Sequence, residues 1–247
     1  MRYYMAFDDT DTKDCGYGTG KFTREYIPTL PKDWIMYGIV RQQYPQSESI
    51  PFTSNNSSAT VILEHPQAGR EQELAEHGAA YIAGRYLEGS DPGLCVCAAE
   101  NLVALEHLST FGLRCCKEIV TQDEAYQAAA KAHLSAHGGT GDGVIGAAAG
   151  VGLTHLGNSG RFVQLGACDV REFKDVVLAG ELYEFGISCV SVDRFDMPIH
   201  PNDCVITWGR VRPRLVAGKP VMFVTPAERG KWMVAGLPES RFIKLPE

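Results

Sequence analysis

The stretch YYMAFDDTDT, residues 3–12, places three aspartates within four residues directly after an apolar run. A short apolar run of this kind predicts a buried strand, so the acids should emerge at its carboxyl end. Three carboxylates this close repel one another unless a cation or hydrogen-bond donors offset their charge. Mg²⁺ beside a polyphosphate would do so, because it uses one or two carboxylates and completes its shell with water and phosphate. The alternative is a loop whose aspartates cap a helix or turn the chain.

The composition narrows the class of protein. The chain has 247 residues, of which 45% are apolar and 21% charged, as in a globular protein. Its net charge of −7 gives no overall attraction to nucleic acid, so a nucleic-acid partner would need a local basic patch. The chain shows neither the apolar region of a signal peptide nor a run of about eighteen apolar residues. We therefore expect a cytoplasmic protein that makes no membrane contact.

The eight cysteines include no C-x-x-C pair, which argues against a structural zinc site. Most of them lie in apolar, strand-like runs. They are predicted to be reduced residues of the core.

The first half of the chain predicts the order strand, helix, strand, strand, helix, strand. The strands are expected at about 2–8, 35–42 and 59–65 and around Cys95 and Cys97; the helices are a short one ending before Pro28 and one at about 70–87. That order is typical of a ferredoxin-like βαββαβ unit, and the fold class is therefore α+β.

The second half predicts another α/β domain. Helices are expected at about 100–112 and 122–136, then a glycine-rich segment at 137–143 and a buried helix to Leu153, then strands at 161–167 and 187–193 around a helix at 170–184. From about 204 the chain is strand-like. The predicted domains are 1–120, α+β with the acidic motif, 121–212, α/β with the glycine-rich loop, and 213–247, a short strand-like extension.

The glycine-rich loop HGGTGDG, residues 137–143, leads into an apolar helix. Unpaired backbone N–H groups and the positive end of a helix dipole suit a phosphate there. Gly141, Gly143 and Gly146 also fit the dinucleotide fingerprint, but that motif needs a preceding strand, and residues 125–133 predict a helix. No Walker lysine follows. The alternative is a helix–helix turn with close packing.

Four segments in order carry a resemblance to a known family. They are the FDDTDT motif at 7–12, the segment from Arg41 through IPFTSNNSSA at 50–59, the loop and helix at 139–147, and VITWGRVR at 205–212. Together they resemble tRNA(Ile) 2-agmatinylcytidine synthetase, an archaeal enzyme that uses ATP to attach agmatine to a tRNA cytidine.

The resemblance implies a kinase-like catalytic domain, whose aspartates bind Mg²⁺ and ATP, joined to a ferredoxin-like domain. By position, Asp8, Asp9 and Asp11 match the catalytic and metal-binding acids. The implied nucleotide-binding residues are Thr10, Gly139, Thr140, Gly141 and Gly143. In-line phosphoryl transfer suits these parts, because a metal and backbone donors offset the charge on the transferred group.

The chain departs from that family in two places. Family members tend to carry a Lys-Thr-Arg-Gly-Asn-like run where this chain has TSNNS at 53–57, so two cations are missing. The oligonucleotide-binding and zinc-ribbon domains should follow the matched region, but the residues after Arg212 contain no cysteine. Both departures argue against tRNA binding by this chain alone.

Two hypotheses of different classes follow. The first is an ATP- or nucleotide-dependent kinase-like or ligase-like enzyme acting on a small molecule, or on nucleic acid delivered by a partner. The second is a non-catalytic module that binds a metabolite or a partner protein on the same fold. The sequence leaves the acceptor, the retention of catalysis, partner-supplied RNA-binding domains and the oligomeric state open.

Overall fold

The structure is a computed structural model that describes residues 1–47, 50, 55–194, 197–209 and 211–235. These residues form a mixed α+β fold with six α-helices and one large sheet. Within them, no helix has the length and apolar character needed to cross a bilayer.

The first half of the chain forms four long strands and two helices in the predicted order. A short 3₁₀ helix, Ile27–Thr29, follows the first helix. The elements are β1 (Arg2–Asp8), α1 (Thr19–Tyr26), β2 (Ile35–Gln43), β3 (Ser57–Glu64), α2 (Glu71–Ala83) and β4 (Gly93–Ala98). Their strands lie in the order β4-β1-β3-β2, and every neighbouring pair is antiparallel.

The second half adds helices over this sheet and extends the sheet beyond β2. The elements are α3 (Leu102–Cys115), α4 (Gln122–Ala128), β5 (His133–Ala136), α5 (Gly143–Leu156), β6 (Arg161–Leu165), β7 (Cys168–Asp169), β8 (Val176–Leu178), α6 (Ala179–Glu184), β9 (Ser188–Ser191), β10 (Cys204–Ile206), β11 (Arg214–Val216), β12 (Lys219–Glu228) and β13 (Lys231–Val234). The sheet runs β5-β4-β1-β3-β2-β6-β11-β12-β13-β10-β8 through the described residues. Beside this path, β7 pairs with β6 and β9 with β12.

Strand β1 separates two apolar clusters because its side chains alternate between the faces of the sheet. Met5 and Phe7 pack in the cluster that includes Phe22 of α1. Tyr4 and Ala6 pack in the other cluster, with α3 and α5. Asp8 continues the second series, so its carboxylate emerges on the face covered by α5.

Helix α5 is buried along most of its length, as predicted, because it lies between the sheet and α3. A Cβ at Gly150 would lie 2.6 Å from Ser58 Oγ, and one at Gly143 would lie 2.6 Å from the Gly93 nitrogen. On the α3 side, Gly112 comes similarly close to the Ala149 carbonyl. Glycine is required at these places because any side chain would push the two backbones apart.

The predicted helix at 122–136 is wrong in its second half. Helix α4 ends at Ala128, and residues 133–136 form β5, an edge strand antiparallel to β4. The alanine-rich run favours a helix locally, but pairing with β4 overrides this weak preference. The reason for rejecting the dinucleotide fingerprint was therefore also wrong, since a strand does precede the loop. The topology still differs from that motif, because α5 leads to β6, which pairs antiparallel with β2 and not with β5.

The predicted helix at 170–184 is also mostly wrong. Only Ala179–Glu184 is helical, while Val176–Leu178 forms β8 and pairs antiparallel with β10. The remaining predicted strands and helices occur within a few residues of their expected bounds.

Candidate functional site

A cavity of about 370 Å³ lies where the end of β1 meets the start of α5. Its volume falls in the range of small-molecule sites. Among the predicted site residues, those that line it are Asp8, Asp9, Asp11, Thr140 and Gly143; further lining residues include Thr19, Tyr44, Ser57, Asp91, Glu118, Asp142 and Gly146. The acidic motif and the glycine-rich loop, more than 120 residues apart in sequence, therefore meet at one cavity.

Asp8 lies directly against α5. A Cβ added to Gly146 would overlap the Asp8 carboxylate, so this helix position leaves room for the acid only as glycine. The Gly146 carbonyl accepts a hydrogen bond from the buried Tyr44 hydroxyl at 2.8 Å, and the same hydroxyl bonds Ser58 Oγ at 2.6 Å. Burial, and then the charge of Asp9, raises the pKa of Asp8 well above its ordinary value.

Asp9 turns the chain at the end of β1. Its φ of 47° lies in the left-handed region, which aspartate tolerates better than most side chains. Its carbonyl accepts the Asp91 N–H at 3.0 Å, which ties the motif to the segment before β4. Burial, and then the charge of Asp91, raises the pKa of Asp9 to about 6. Asp11 and Asp142 act in the same direction.

Asp11 serves the start of α1. Its Oδ1 atom accepts hydrogen bonds from the Thr19 N–H at 3.1 Å and from the Thr19 hydroxyl at 3.0 Å. Thr10 is buried and bonds the same hydroxyl, at 3.3 Å from Oγ1 to Oγ1, instead of lining the cavity. The capping alternative raised for the aspartates thus describes one contact of Asp11.

Asp91 occupies the donors of the glycine-rich loop. Its carboxylate accepts the Thr140 N–H at 3.0 Å and the Gly141 N–H at 2.5 Å. Gln122 supports the loop from α4, donating 3.0 Å to the Thr140 carbonyl and 2.7 Å to the Asp142 carboxylate. Two of the backbone donors that were predicted to be unpaired therefore already bind an internal anion.

The remaining predicted loop residues shape the turn. Gly139 and Gly141 have φ values of 58° and 92°, which favour glycine. Gly143 begins α5 and packs against the backbone of Asp91 and Gly93. Of these three glycines, Gly143 alone lines the cavity.

The cavity wall is strongly acidic. Asp8 and Asp9 share it with Asp91, Asp142 and Glu118. In the part of the chain that the structure describes, no three or more His, Cys, Asp or Glu side chains are arranged as a metal-ligand group. The available donors are carboxylate oxygens, which suit a hard cation such as Mg²⁺ better than a thiolate-binding metal.

Sequence reasoning missed Asp91, the residue that joins the acidic motif to the loop. It lies in GSDPG, residues 89–93, where Asp-Pro marks a turn before a strand. That signal predicts the turn but not the contact with a loop 49 residues later. Parts of the matched segments, residues 51–54 and 210, lie outside the described residues, as do residues 236–247 of the predicted extension.

Comparison with known proteins shows what this chain resembles. No protein-family model and no curated protein matches it. Among solved structures, a tRNA fluorescent labeling enzyme is similar with a TM-score of 0.51 and 24% identity, over 62% of this chain and 36% of that chain. The apo form of TiaS, a tRNA agmatidine synthetase, is similar with a TM-score of 0.50 and 24% identity, over 62% and 35%. TiaS in complex with tRNA and ATP gives 0.50, 24%, 62% and 36%.

These similarities confirm the predicted resemblance at the level of the fold. The chain spans about 36% of the length of the structures it matches. It therefore shares the fold of a part of that enzyme.

Proposed function

We propose that the cavity binds a nucleotide, with ATP and Mg²⁺ as the preferred pair, and that the protein transfers a phosphoryl group to an acceptor. The observation that carries this proposal is the meeting of Asp8 and Asp9 with the start of α5 at one cavity. Acids that bind a cation and a helix start that attracts phosphate are the two parts a metal–nucleotide complex needs. TiaS, whose fold is similar, has been crystallised with ATP, which supports the same proposal.

Asp8 and Asp9 are the residues that would hold Mg²⁺. Both have raised pKa values because burial and neighbouring carboxylates oppose their ionisation. A cation would relieve that repulsion, and Mg²⁺ typically needs only one or two protein carboxylates beside phosphate and water. When bound, Mg²⁺ neutralises charge on the phosphates during transfer.

Helix α5 supplies the other half of the site. Its fourteen residues end in unpaired N–H groups at Gly143, on the cavity wall, where the helix dipole favours a negative ligand. A phosphate that took the Thr140 and Gly141 donors would replace the Asp91 carboxylate, whereas one at Gly143 would leave that contact in place. We propose Gly143 as the phosphate position, with Thr140 beside it.

The remaining parts of the fold fit the same proposal. We propose that β1 to β4 with α1 and α2 form a ferredoxin-like unit, supported by the antiparallel order β4-β1-β3-β2 and by the packing of both helices in one cluster. The division into residues 1–120, 121–212 and 213–247 stays a prediction, as does a cytoplasmic location.

Calorimetric titration of the protein with Mg²⁺ and a non-hydrolysable ATP analogue tests binding. We expect Asp9→Asn to weaken Mg²⁺-dependent affinity at least tenfold while the melting temperature stays within a few degrees of wild type. Asp123→Asn, at an exposed position of α4, is the matched control for loss of one charge. Equal affinity in Asp9→Asn and wild type would remove the proposed metal role, and no heat from wild type would remove the nucleotide site.

The contact between Asp91 and the loop favours a second candidate, a non-catalytic module. A loop whose donors already bind an internal carboxylate resembles a structural turn more than an open phosphate cradle. Slow ATP hydrolysis by the purified protein, lost in Asp9→Asn but kept in Asp123→Asn, would exclude this candidate. Binding without any turnover would favour it.

A further inference from the structure

Arginines follow one another across three neighbouring strands of the sheet. Arg41 of β2 lies directly opposite Arg161 of β6, and Arg161 lies directly opposite Arg214 of β11. Directly opposed residues of antiparallel strands have their side chains on one face, about 5 Å apart. The three arginines therefore form a row that spans roughly 10 Å, two strand spacings.

Arg212 extends this row. It lies two residues before Arg214, is exposed, and flanks Val211, which packs in the core of the opposite face. The pKa of Arg41 is lowered, first by burial and then by the charges of Arg212 and Arg161. Four positive side chains thus act on one small area, which we call the arginine row: Arg41, Arg161, Arg212 and Arg214.

The arginine row begins at the rim of the cavity. The Arg41 guanidinium donates two hydrogen bonds to the Ser57 hydroxyl, at 3.0 and 2.9 Å, and Ser57 lines the cavity. The charge of Asp11, another lining residue, acts on Arg41 in the opposite direction to the neighbouring arginines. A ligand bound along the row would therefore reach a nucleotide in the cavity.

Like charges placed directly opposite one another destabilise a sheet. An anion bound between them offsets that repulsion, and the planar guanidinium of arginine suits phosphate oxygens in particular. A single phosphate would contact only part of a row that spans roughly 10 Å. The row is thus suited to a ligand with more than one phosphate.

We propose that the arginine row binds the phosphate groups of the acceptor, a ligand that carries two or more phosphates, beside the nucleotide cavity. The role as acceptor site rests on the proposed function; binding of the phosphates does not. The row is the local basic patch that an otherwise acidic chain needs for such a ligand.

Affinity measurements on Arg161→Gln and Arg214→Gln test the proposal. The probes are fructose 1,6-bisphosphate, fructose 6-phosphate and a single-stranded RNA of eight nucleotides, each at two salt concentrations. Arg229→Gln, an exposed arginine of the β12–β13 turn, is the control for the loss of one charge. We expect the bisphosphate or the RNA to bind wild type more tightly than the monophosphate does, and each row variant to weaken it about tenfold.

The two polyphosphate probes separate the sources of the phosphate. Preference for the bisphosphate indicates a small phosphorylated acceptor. Preference for RNA, with a salt dependence that falls by about one ion in each row variant, indicates a phosphodiester backbone. Absence of binding by every probe, or equal effects of Arg161→Gln and Arg229→Gln, would overturn the proposal.

Two further readouts separate this proposal from a structural role and from the nucleotide site. In low salt, Arg161→Gln should melt at or above the wild-type temperature, because repulsion is removed; a marked fall in both row variants would indicate a structural role and overturn the proposal. Affinity for Mg²⁺ and the ATP analogue should stay within about twofold of wild type. An equal loss there would assign the row to the nucleotide. Phosphate binding without ATP binding would defeat the proposed function and leave the row as a phosphate site.

Discussion

The Asp91 carboxylate holds Thr140 through two hydrogen bonds to one of its oxygens, 3.0 Å from the backbone N–H and 2.5 Å from the hydroxyl. The Asp91 backbone N–H in turn donates to the Asp9 carbonyl. One residue therefore joins the acidic motif to the glycine-rich loop, and the shape of the cavity depends on it.

Asp91→Asn should loosen this connection. The substitution removes the charge and one of the acceptor oxygens that bind Thr140 and Gly141, so we expect stability to fall by roughly 1–3 kcal/mol. The pKa of Asp9 should fall as well, because Asp91 supplies the largest neighbouring charge that raises it. Urea unfolding and NMR titration of the Asp9 carboxyl measure the two effects. Glu106→Gln, on an exposed face of α3, should change neither.

Gly146→Ala should disturb Asp8, because the new methyl group would occupy the space of its carboxylate. We expect stability to fall by roughly 1–3 kcal/mol, as in other overpacked sites, and Mg²⁺-dependent ATP affinity to fall at least tenfold. Gly20→Ala in α1 is the matched control, since a Cβ there meets nothing closer than 3.9 Å. That variant should gain about 0.5–1 kcal/mol from helix propensity. Unfolding curves of the pair check both signs, and a stabilised Gly146→Ala would contradict the close contact.

The stability of the metal-free protein should fall as pH rises from about 4 to about 6. The folded protein raises the pKa of Asp9 from 3.8 to about 6, so it holds a proton that the unfolded chain has released. This contribution is fully present below pH 3.8 and is lost as pH rises through about 6. Asp9→Asn should flatten the profile in that window, as measured by urea unfolding at a series of pH values.

Mg²⁺ affinity should show the opposite dependence on pH. The ion binds the ionised carboxyl, so affinity should fall by about tenfold for each pH unit below 6 if one proton must leave. Calorimetry in buffers of different ionisation enthalpy would detect the released proton. A pH-independent affinity between 5 and 7 would show that Asp9 does not contact the ion.

Two substitutions at Asp11 separate helix capping from metal binding. Asp11→Ala removes the acceptor of the Thr19 N–H and should lower stability by about 1 kcal/mol, whereas Asp11→Asn keeps an acceptor oxygen and should remain close to wild type. If Asp11 also assists the cation, Asp11→Asn should weaken Mg²⁺-dependent ATP binding at least tenfold. Unchanged binding in this variant would leave Asp11 with the capping contact alone.

Local patterns in the sequence predicted the elements whose neighbours are close along the chain. Strand β1, helix α1 and the β2–β3 pair follow from short apolar runs and turns. Residues 133–136 and 176–178 did not follow, because each is a short strand that exists through pairing with a distant partner, β4 and β10. Such pairing contributes more than the local preference for helix.

The site was predictable in its two motifs but not in the residues that join them. The run of aspartates and the glycine-rich loop are visible as patterns, and the structure places them on one cavity. Asp91 and the arginine row carry no local signal, because each depends on strand register and on contacts between segments far apart in sequence. Arg41 and Arg161 become neighbours only when β6 is added beside β2.

The hydrogen bond from Tyr44 to the Gly146 carbonyl joins residues that are 102 positions apart. During synthesis from the amino terminus, β1 and its acids leave the ribosome long before α5 does. The acidic end of β1 must therefore wait, solvated and without its helix, until most of the chain has been made. Assembly of the cavity is a late folding event, and a chain interrupted before α5 would carry the aspartates without a site.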